Sequence, residues 1–364
     1  MNHLPDIEGP ILLEGLSYSR EDLLNYCDEQ VNDPGLPDWN KELMSFIALF
    51  LDPAGGPIIQ KSSGSTGDPK SFVLSREAML LSAERTLSFF KLRRGEQVLL
   101  SLPVHYIAGK MMVVRALLGG LDLQLREPSS RPLQNLNGSI DLAAMVPLQI
   151  EESLTHGDPL KRISKLLIGG GVLHPATREK LSRMSSPEVY ESFGMTETYT
   201  HFALKRITGP DPDSSFKLLE GVRIGLDKRG CLEVEVPGIT DGLLSTNDLV
   251  EINKQGDGFS WLGRFDNLIN SGGIKIIPEL LEEQVRDCIG HECLVLPEPD
   301  RKLGNRLALV VEFAGDNPPI ELWKDLLRNR LPAYEQPKRV LTVEVLPRNA
   351  SMKPDRTSSR NLLL

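Results

Sequence analysis

Paired cysteines are missing from this 364-residue chain, which rules out several architectures at once. The four cysteines, Cys27, Cys231, Cys288 and Cys293, form no Cys-x-x-Cys pair, and the six histidines supply no ligand spacing beside them. A structural zinc site is therefore not expected. Cys288 and Cys293 lie close in sequence and read as buried reduced thiols. Long apolar runs are also missing. Stretches such as residues 46–51 are too short to span a bilayer. Residues 1–10 carry neither a basic patch nor an apolar stretch of the secretory kind, so a cytoplasmic location is expected. Positive charge is in deficit, with 41 Lys and Arg against 50 Asp and Glu and a net charge of -9. That balance argues against nucleic acid as the main partner but leaves room for a basic pocket holding one small anion.

Hydrophobic residues make up 40% of the chain, enough for a sizeable core, and the length allows two domains. Helical patterns cover residues 21–28 and 39–50, separated by the breaker-rich run Asn32-Asp33-Pro34-Gly35-Leu36-Pro37. A short strand at 57–60 leads into a polar loop, and a second strand at 72–74 leaves it. Ser75 can cap a helix over 76–90. Strands at 98–102, 121–125, 143–146, 165–168 and 188–192 then alternate with helices at 109–118 and 174–184. Such alternation predicts an α/β fold with a mostly parallel sheet flanked by helices. Residues 221–262 read as short strands and turns, a small β subdomain. Beyond Asp266 comes a compact α+β unit, with helices at 279–288 and 320–331 and strands at 292–296, 307–313 and 340–346. The tail from Pro347 reads as polar loop. The expected organisation is a large N-terminal domain over 1–265 and a small C-terminal domain over 266–364. There is no internal repeat.

The polar loop is the most informative stretch. Ser62-Ser63-Gly64-Ser65-Thr66-Gly67-Asp68-Pro69-Lys70 packs hydroxyls, glycines and a lysine into nine residues. Glycines let backbone N–H groups turn toward an anion, hydroxyls donate further bonds, and lysine adds charge. Composition alone leaves an ordinary flexible surface loop as an equal reading. A Walker A loop is disfavoured: Lys70 lies three residues after Gly67, and a strand follows where that motif needs a helix.

This loop resembles the phosphate loop of the acyl-adenylate-forming superfamily, which includes acyl-CoA synthetases, luciferases and peptide-synthetase adenylation domains. Further segments resemble that family in its own order. Glu191-Ser192-Phe193-Gly194-Met195-Thr196-Glu197 is similar to its adenine motif. By that resemblance Phe193, where Tyr is usual, flanks the adenine, Thr196 meets phosphate and Glu197 supports magnesium. Independently of any family, a strand ending in a glycine turn exposes such groups at a sheet's carboxyl edge, where ligands bind. Gly169-Gly170-Gly171 resembles the backbone contact to the adenosine, with Gly170 and Gly171 at the nucleotide. Ser245-Thr246-Asn247-Asp248 resembles the family's Thr-Gly-Asp, whose Asp binds the ribose hydroxyls. Asn247 replaces the usual Gly, and Asn tolerates a left-handed backbone. Arg264 would also contact ribose, and Asp266 would be the hinge of a mobile C-terminal domain. Ser271, Gly272, Gly273 and Lys275 would lie on the loop facing the thiol substrate. Residues 346–353 resemble the catalytic-lysine motif, with Lys353 as the lysine and Met352 in place of Gly.

Residues 102–109, Leu-Pro-Val-His-Tyr-Ile-Ala-Gly, are similar to the proline–histidine–glycine segment of acyl-CoA ligases, with His105 at the acyl pocket. The segments 144–149, 167–171 and 191–198 resemble the o-succinylbenzoate–CoA ligase family of menaquinone biosynthesis. The resemblance implies ATP, Mg²⁺ and CoA as reactants and cofactor, with a small carboxylic acid as substrate. It implies no nucleic acid partner and no membrane span. Superfamily members carry a longer segment before the phosphate loop than the 61 residues found here, so the N-terminal subdomain is expected to be condensed, as in a short form. His201 reads as a packed neutral histidine, with binding of a dicarboxylate as the other possibility. The alternatives are another acyl- or aryl-CoA ligase, an adenylation enzyme that loads a carrier protein, and a non-catalytic nucleotide-binding module.

Overall fold

The computed structural model describes residues 6–52, 54–61, 71–348 and 354–363. The chain divides into two compact units. One comprises Met1–Arg223 with Glu235–Leu244, the other Ile224–Val234 with Ser245–Leu364.

The first unit is built on a sheet whose middle is parallel. Strands Asp122–Leu125, Gln97–Leu100, Ile140–Met145, Ile163–Ile168 and Glu188–Gly194 lie side by side in that order, each parallel to the next. The two central strands, Ile140–Met145 and Ile163–Ile168, carry continuous buried apolar runs, with Leu142, Ala143, Leu166 and Leu167 all buried. Each fully buried leucine among them contributes about 1.5–3 kcal/mol. The sheet is extended by the antiparallel strands His201–Arg206 and Phe216–Leu218 at one side. At the other side come Ile11–Leu13, parallel to Asp122–Leu125, and its hairpin partner Leu16–Tyr18. Strands of three residues are too short to carry a sequence pattern, and this pair was not foreseen. The helix Pro147–His156 was likewise missed; Gly157, left-handed at φ 68°, stops it.

The expected strand–loop–strand unit is an antiparallel hairpin. Ile58–Lys61 pairs with Ser71–Leu74, from Ile58 opposite Leu74 to Lys61 opposite Ser71. Residues 62–70 themselves lie outside the described residues. The helix Arg76–Phe90 follows at once, and the Ser75 side chain accepts from the Ala78 amide as its cap.

In the second unit, Cys231–Glu235, Leu244–Ile252 and Gly258–Arg264 are neighbouring strands of a β layer. The α+β part has its core between the helices Pro278–Ile289 and Ile320–Arg330 and one face of the strands Cys293–Asp300 and Gly304–Glu312. The expected loop-like tail is a correction. Asp355 caps a helix at Arg356–Arg360, and Leu362 and Leu363 pack on Leu294, Leu296 and Val310, the opposite face of the same sheet. The tail is polar in sequence because only its last turn meets apolar surface. Among the cysteines, Cys27, Cys231 and Cys293 are buried, whereas Cys288 is only half-buried. Burial raises the Cys27 thiol to about 12 and the Cys293 thiol further.

Candidate active site

In the first unit, the carboxyl ends of two neighbouring parallel strands bring the predicted nucleotide residues together. Ile163–Ile168 runs into Gly169, Gly170 and Gly171, and Gly170 is left-handed at φ 78°. The adjacent strand carries Glu191, Ser192 and Phe193. Ser192 Oγ donates to Ile168 O at 3.0 Å, and a Cβ on Gly169 would stand 2.5 Å from that oxygen. The two strand ends are thus locked by a contact that only glycine permits. Gly194 is equally constrained, because a Cβ there would meet Thr200 O at 2.0 Å.

Beyond Gly194 the chain makes the single turn Thr196–Thr198. Thr198, buried, organises it: its Oγ1 accepts from the Met195 amide at 3.1 Å and donates to Thr200 O at 2.7 Å. Thr196 is left half-exposed and Glu197 exposed, pointing away from the core. Tyr199 then takes an uncommon left-handed backbone, φ 63°, and its hydroxyl oxygen accepts from the Ser75 amide at 2.8 Å. This bond joins the turn to the residue directly after the Ser71–Leu74 strand. Phe193 is half-buried and lies edge-on to Phe202 and Phe216, with centroids 5.7 and 5.4 Å away. The Glu191 carboxylate is buried and faces Arg178 NH2 at 2.7 Å. Burial raises its pKa against the opposing pull of Arg178.

His105 stands at the rim of a cavity of about 570 Å³ lined also by Glu42, Phe46, Leu49, Val104 and Lys110. Its Nδ1 lies 3.5 Å from Glu42 Oε2. Lys110 Nζ, buried, donates to Gln60 Oε1 at 2.9 Å, and burial pulls its pKa down to about 8.

The sequence reading missed Arg115. It is 1% exposed, and among the described residues no carboxylate lies within ion-pair distance. Its NH2 donates to Thr200 Oγ1 at 3.2 Å, while its Nε is buried without a partner. Burial lowers its pKa to about 10. His201 is beside it, fully enclosed, and both burial and the Arg115 charge drive the imidazole well below its ordinary value. Its Nε2 lies 3.4 Å from Thr86 Oγ1. His201 is therefore the packed neutral histidine anticipated above. The available signal for Arg115 was a lone arginine inside the apolar run Met111-Met112-Val113-Val114-Arg115-Ala116-Leu117.

In the second unit, Asp248 and Arg264 face each other across antiparallel strands. Asp248 Oδ1 accepts from Trp261 Nε1 at 3.0 Å and lies 3.9 Å from Arg264 NH1. Arg264 NH2 pairs with Asp266 Oδ2 at 2.8 Å. Asn247 belongs to the strand Leu244–Ile252, and its backbone is not left-handed. The expected reason for tolerating Asn is thus replaced: the position is extended, and any residue fits it. The hairpin Ile269–Ser271 and Ile274–Ile276 turns through Gly272 and Gly273, at φ 61° and 86°, with Lys275 exposed and Ser271 buried. Lys353 lies outside the described residues. Its flanks are tied together, Arg348 bridging to Pro354 and the Asp355 amide donating to Pro347 O at 2.7 Å.

Glycine turns, a hydroxyl and an exposed carboxylate at the carboxyl edge of a parallel sheet form the architecture of a nucleotide-binding α/β protein. A profile described as AMP-binding enzyme matches residues 52–230. The crystal structure of an acyl-CoA synthetase (AMP-forming)/AMP-acid ligase II-like protein from Dyadobacter fermentans DSM 18053 is 33% identical. It aligns over 93% of this chain and 98% of that one, with a TM-score of 0.62. The chain belongs to the AMP-binding enzyme family. The 2-succinylbenzoate–CoA ligase of Salmonella typhimurium strain LT2 is 27% identical over 311 residues, 81% of this chain. That of Listeria monocytogenes strain EGD-e is 28% identical over 326 residues, covering 82% of this chain and 68% of its own length. The chain spans 66% of the length of the Salmonella protein, just under two thirds. The o-succinylbenzoate CoA synthetase of Bacillus subtilis, in complex with its acyl-adenylate intermediate, shares the fold at 22% identity with a TM-score of 0.68.

Proposed function

We propose that this protein is an ATP-dependent acid–CoA ligase acting on o-succinylbenzoate. A carboxylate oxygen attacks the α-phosphorus of ATP, the bond to pyrophosphate breaks, and an acyl-adenylate forms. The CoA thiol, losing its proton, then attacks the acyl carbon and AMP leaves. The observation that carries the reading is the pair Thr196 and Glu197, turned outward beside the Gly169–Gly171 turn at the carboxyl edge of the sheet. The names of the curated relatives support the substrate.

The first step brings anion to anion, so positioning and charge stabilisation dominate it. Ser62 to Lys70 are assigned to the phosphates. Gly170, Gly171 and Phe193 receive the adenosine, with Ser192 locking the turn. Asp248 and Arg264 hold the ribose, and Lys353 bridges carboxylate and α-phosphate. Among the described residues no cluster of three or more His, Cys, Asp or Glu could hold a metal. Mg²⁺ is commonly held by one or two carboxylates together with substrate phosphates. Glu197, which makes no ion pair among the described residues, would be that carboxylate, and the ion bound there would offset phosphate charge. Rotation about Asp266 would exchange Lys353 for the loop bearing Ser271 to Lys275 before the thiol attacks.

Arg115 supports a dianionic substrate. Among the described residues its buried guanidinium has no counter-ion, which is costly, and a ligand's second carboxylate would relieve that cost. The test is AMP release with ATP, Mg²⁺ and CoA, comparing o-succinylbenzoate with benzoate and a fatty acid. Release dependent on o-succinylbenzoate is expected. Equal release with benzoate would overturn the substrate assignment, and no release with any acid would overturn the ligase reading.

A further inference from the structure

The residue that departs from the family's glycine makes a specific contact. Asn247 Nδ2 donates to Asp266 Oδ2 at 3.2 Å, and Asn247 Oδ1 accepts from Arg229 NH1 at 2.8 Å. Arg229 is itself fixed from three sides. Its Nε pairs with Asp227 Oδ2 at 2.7 Å, its NH2 donates to Thr246 O at 2.8 Å, and its guanidinium lies over the Phe265 ring, 5.1 Å from the centroid. Phe265 and Asp266 are the first two residues of the single turn Phe265–Asn267. A cluster of side chains from Asp227, Arg229 and Asn247 thus grips both. Arg264 adds its own pair to the same Asp266 oxygen.

We propose that Asn247, backed by Arg229, is a positioning residue that restrains the turn at Asp266 and so sets the balance between the two half-reactions. The inference rests on reading Asp266 as the hinge. A pivot that turns the Asp266 N–Cα bond carries its carboxylate away from the preceding strand and must break the Asn247 bond, while Phe265, which precedes the pivot, keeps its place under Arg229. A glycine at 247 could make neither contact. The restraint is therefore a property of this chain's own residue and not of the strand that carries it. The contacts are partly exposed, so their worth is that of one or two ordinary hydrogen bonds, a factor of about three to ten in the position of an equilibrium.

Two variants test this without a folding problem. Asn247→Ala removes the side-chain contact while keeping a Cβ, and Asn247→Gly restores the residue usual at this position. Position 247 is extended strand. Two measurements are made on each. The first is hydrogen exchange of the Leu268 amide, which bonds Phe265 O at 3.2 Å across the turn and reports its opening without any substrate. The second is the ratio of pyrophosphate exchange to CoA attack on supplied acyl-adenylate. Both variants should raise Leu268 exchange about threefold to tenfold and shift the ratio by a similar factor. Arg229→Lys keeps the charge but not the fork, and should shift both in the same direction. Unchanged Leu268 exchange would overturn the restraint. Raised exchange with both half-reactions altered equally would overturn its role in the balance. If the unaltered protein performed neither half-reaction, the ligase reading would fail, while the exchange data would still decide whether Asn247 restrains the turn.

Discussion

The Tyr199 hydroxyl oxygen accepts a hydrogen bond from the Ser75 amide at 2.8 Å, and the tyrosine reaches it from a left-handed backbone at φ 63°. Two segments far apart in sequence, the end of the hairpin Ile58–Lys61 and Ser71–Leu74 and the turn bearing Thr196 and Glu197, are set against each other by this bond. Tyr199→Phe would leave a half-buried amide without its acceptor, at a cost of about 1–2 kcal/mol. The expected outcome is a lowered melting temperature and a several-fold higher KM for ATP. CoA attack on supplied acyl-adenylate should change little. Loss of stability with an unchanged KM for ATP would reduce Tyr199 to a packing role.

Arg115 gives a prediction with two signs. Arg115→Met replaces an enclosed unpaired cation by an apolar chain of similar length, so the free protein should melt higher. The same change should raise KM for o-succinylbenzoate at least tenfold, the order of a charged hydrogen bond. The KM for benzoate, which has no second carboxylate, should stay put. Equal effects on both acids would separate Arg115 from the acyl group.

Acid should weaken this fold through His201. Its imidazole is held neutral by burial and by Arg115, whereas in the unfolded chain it takes a proton near the ordinary value of 6.5. Below that pH the unfolded state binds more protons than the folded one, so stability falls as pH falls. Burial raises Glu191 and Glu282 and so works in the opposite direction. The informative comparison is therefore between proteins. In His201→Gln, which can keep the bond to Thr86, the difference in melting temperature between pH 7.5 and pH 5 should shrink. A difference equal to that of the unaltered protein would exclude His201 as the acid-sensitive group.

Lys353 allows the two steps to be separated. Lys353→Ala should abolish pyrophosphate exchange while sparing CoA attack on supplied acyl-adenylate. Equal loss of both would refute the division of labour between the lysine and the loop at Ser271 to Lys275.

What the sequence conveyed depended on how local the signal was. The hairpin around residues 62–70, the helix capped by Ser75 and the parallel strands carry their causes within a few residues, as cap, turn or continuous apolar run. The glycine turn at 169–171 and the strand end at 191–194 were legible because each carries its turn residues within a few positions. Arg115 was not, since an arginine in a helix normally snorkels to water, whereas this one is buried, bonded to Thr200 from a segment 85 residues away. The strand Ile11–Leu13 owes its form to pairing with Asp122–Leu125, more than a hundred residues away, and Leu16–Tyr18 pairs onto it in turn. The tail helix depends on Asp355 and on Arg356, whose guanidinium forks onto buried Glu282 at 2.8 and 2.6 Å. Asn247 was read as a substitute for glycine's freedom, when it is the side chain that matters.

The thiol inventory has a practical side. Three of the four cysteines are enclosed, and those at 27 and 293 resist ionisation, so a disulfide-exchange dye at neutral pH would find little on the folded protein besides Cys288. Disappearance of free coenzyme can therefore be followed continuously by colour against a background of about one equivalent per chain, and any later growth of that background would itself report that the protein was opening.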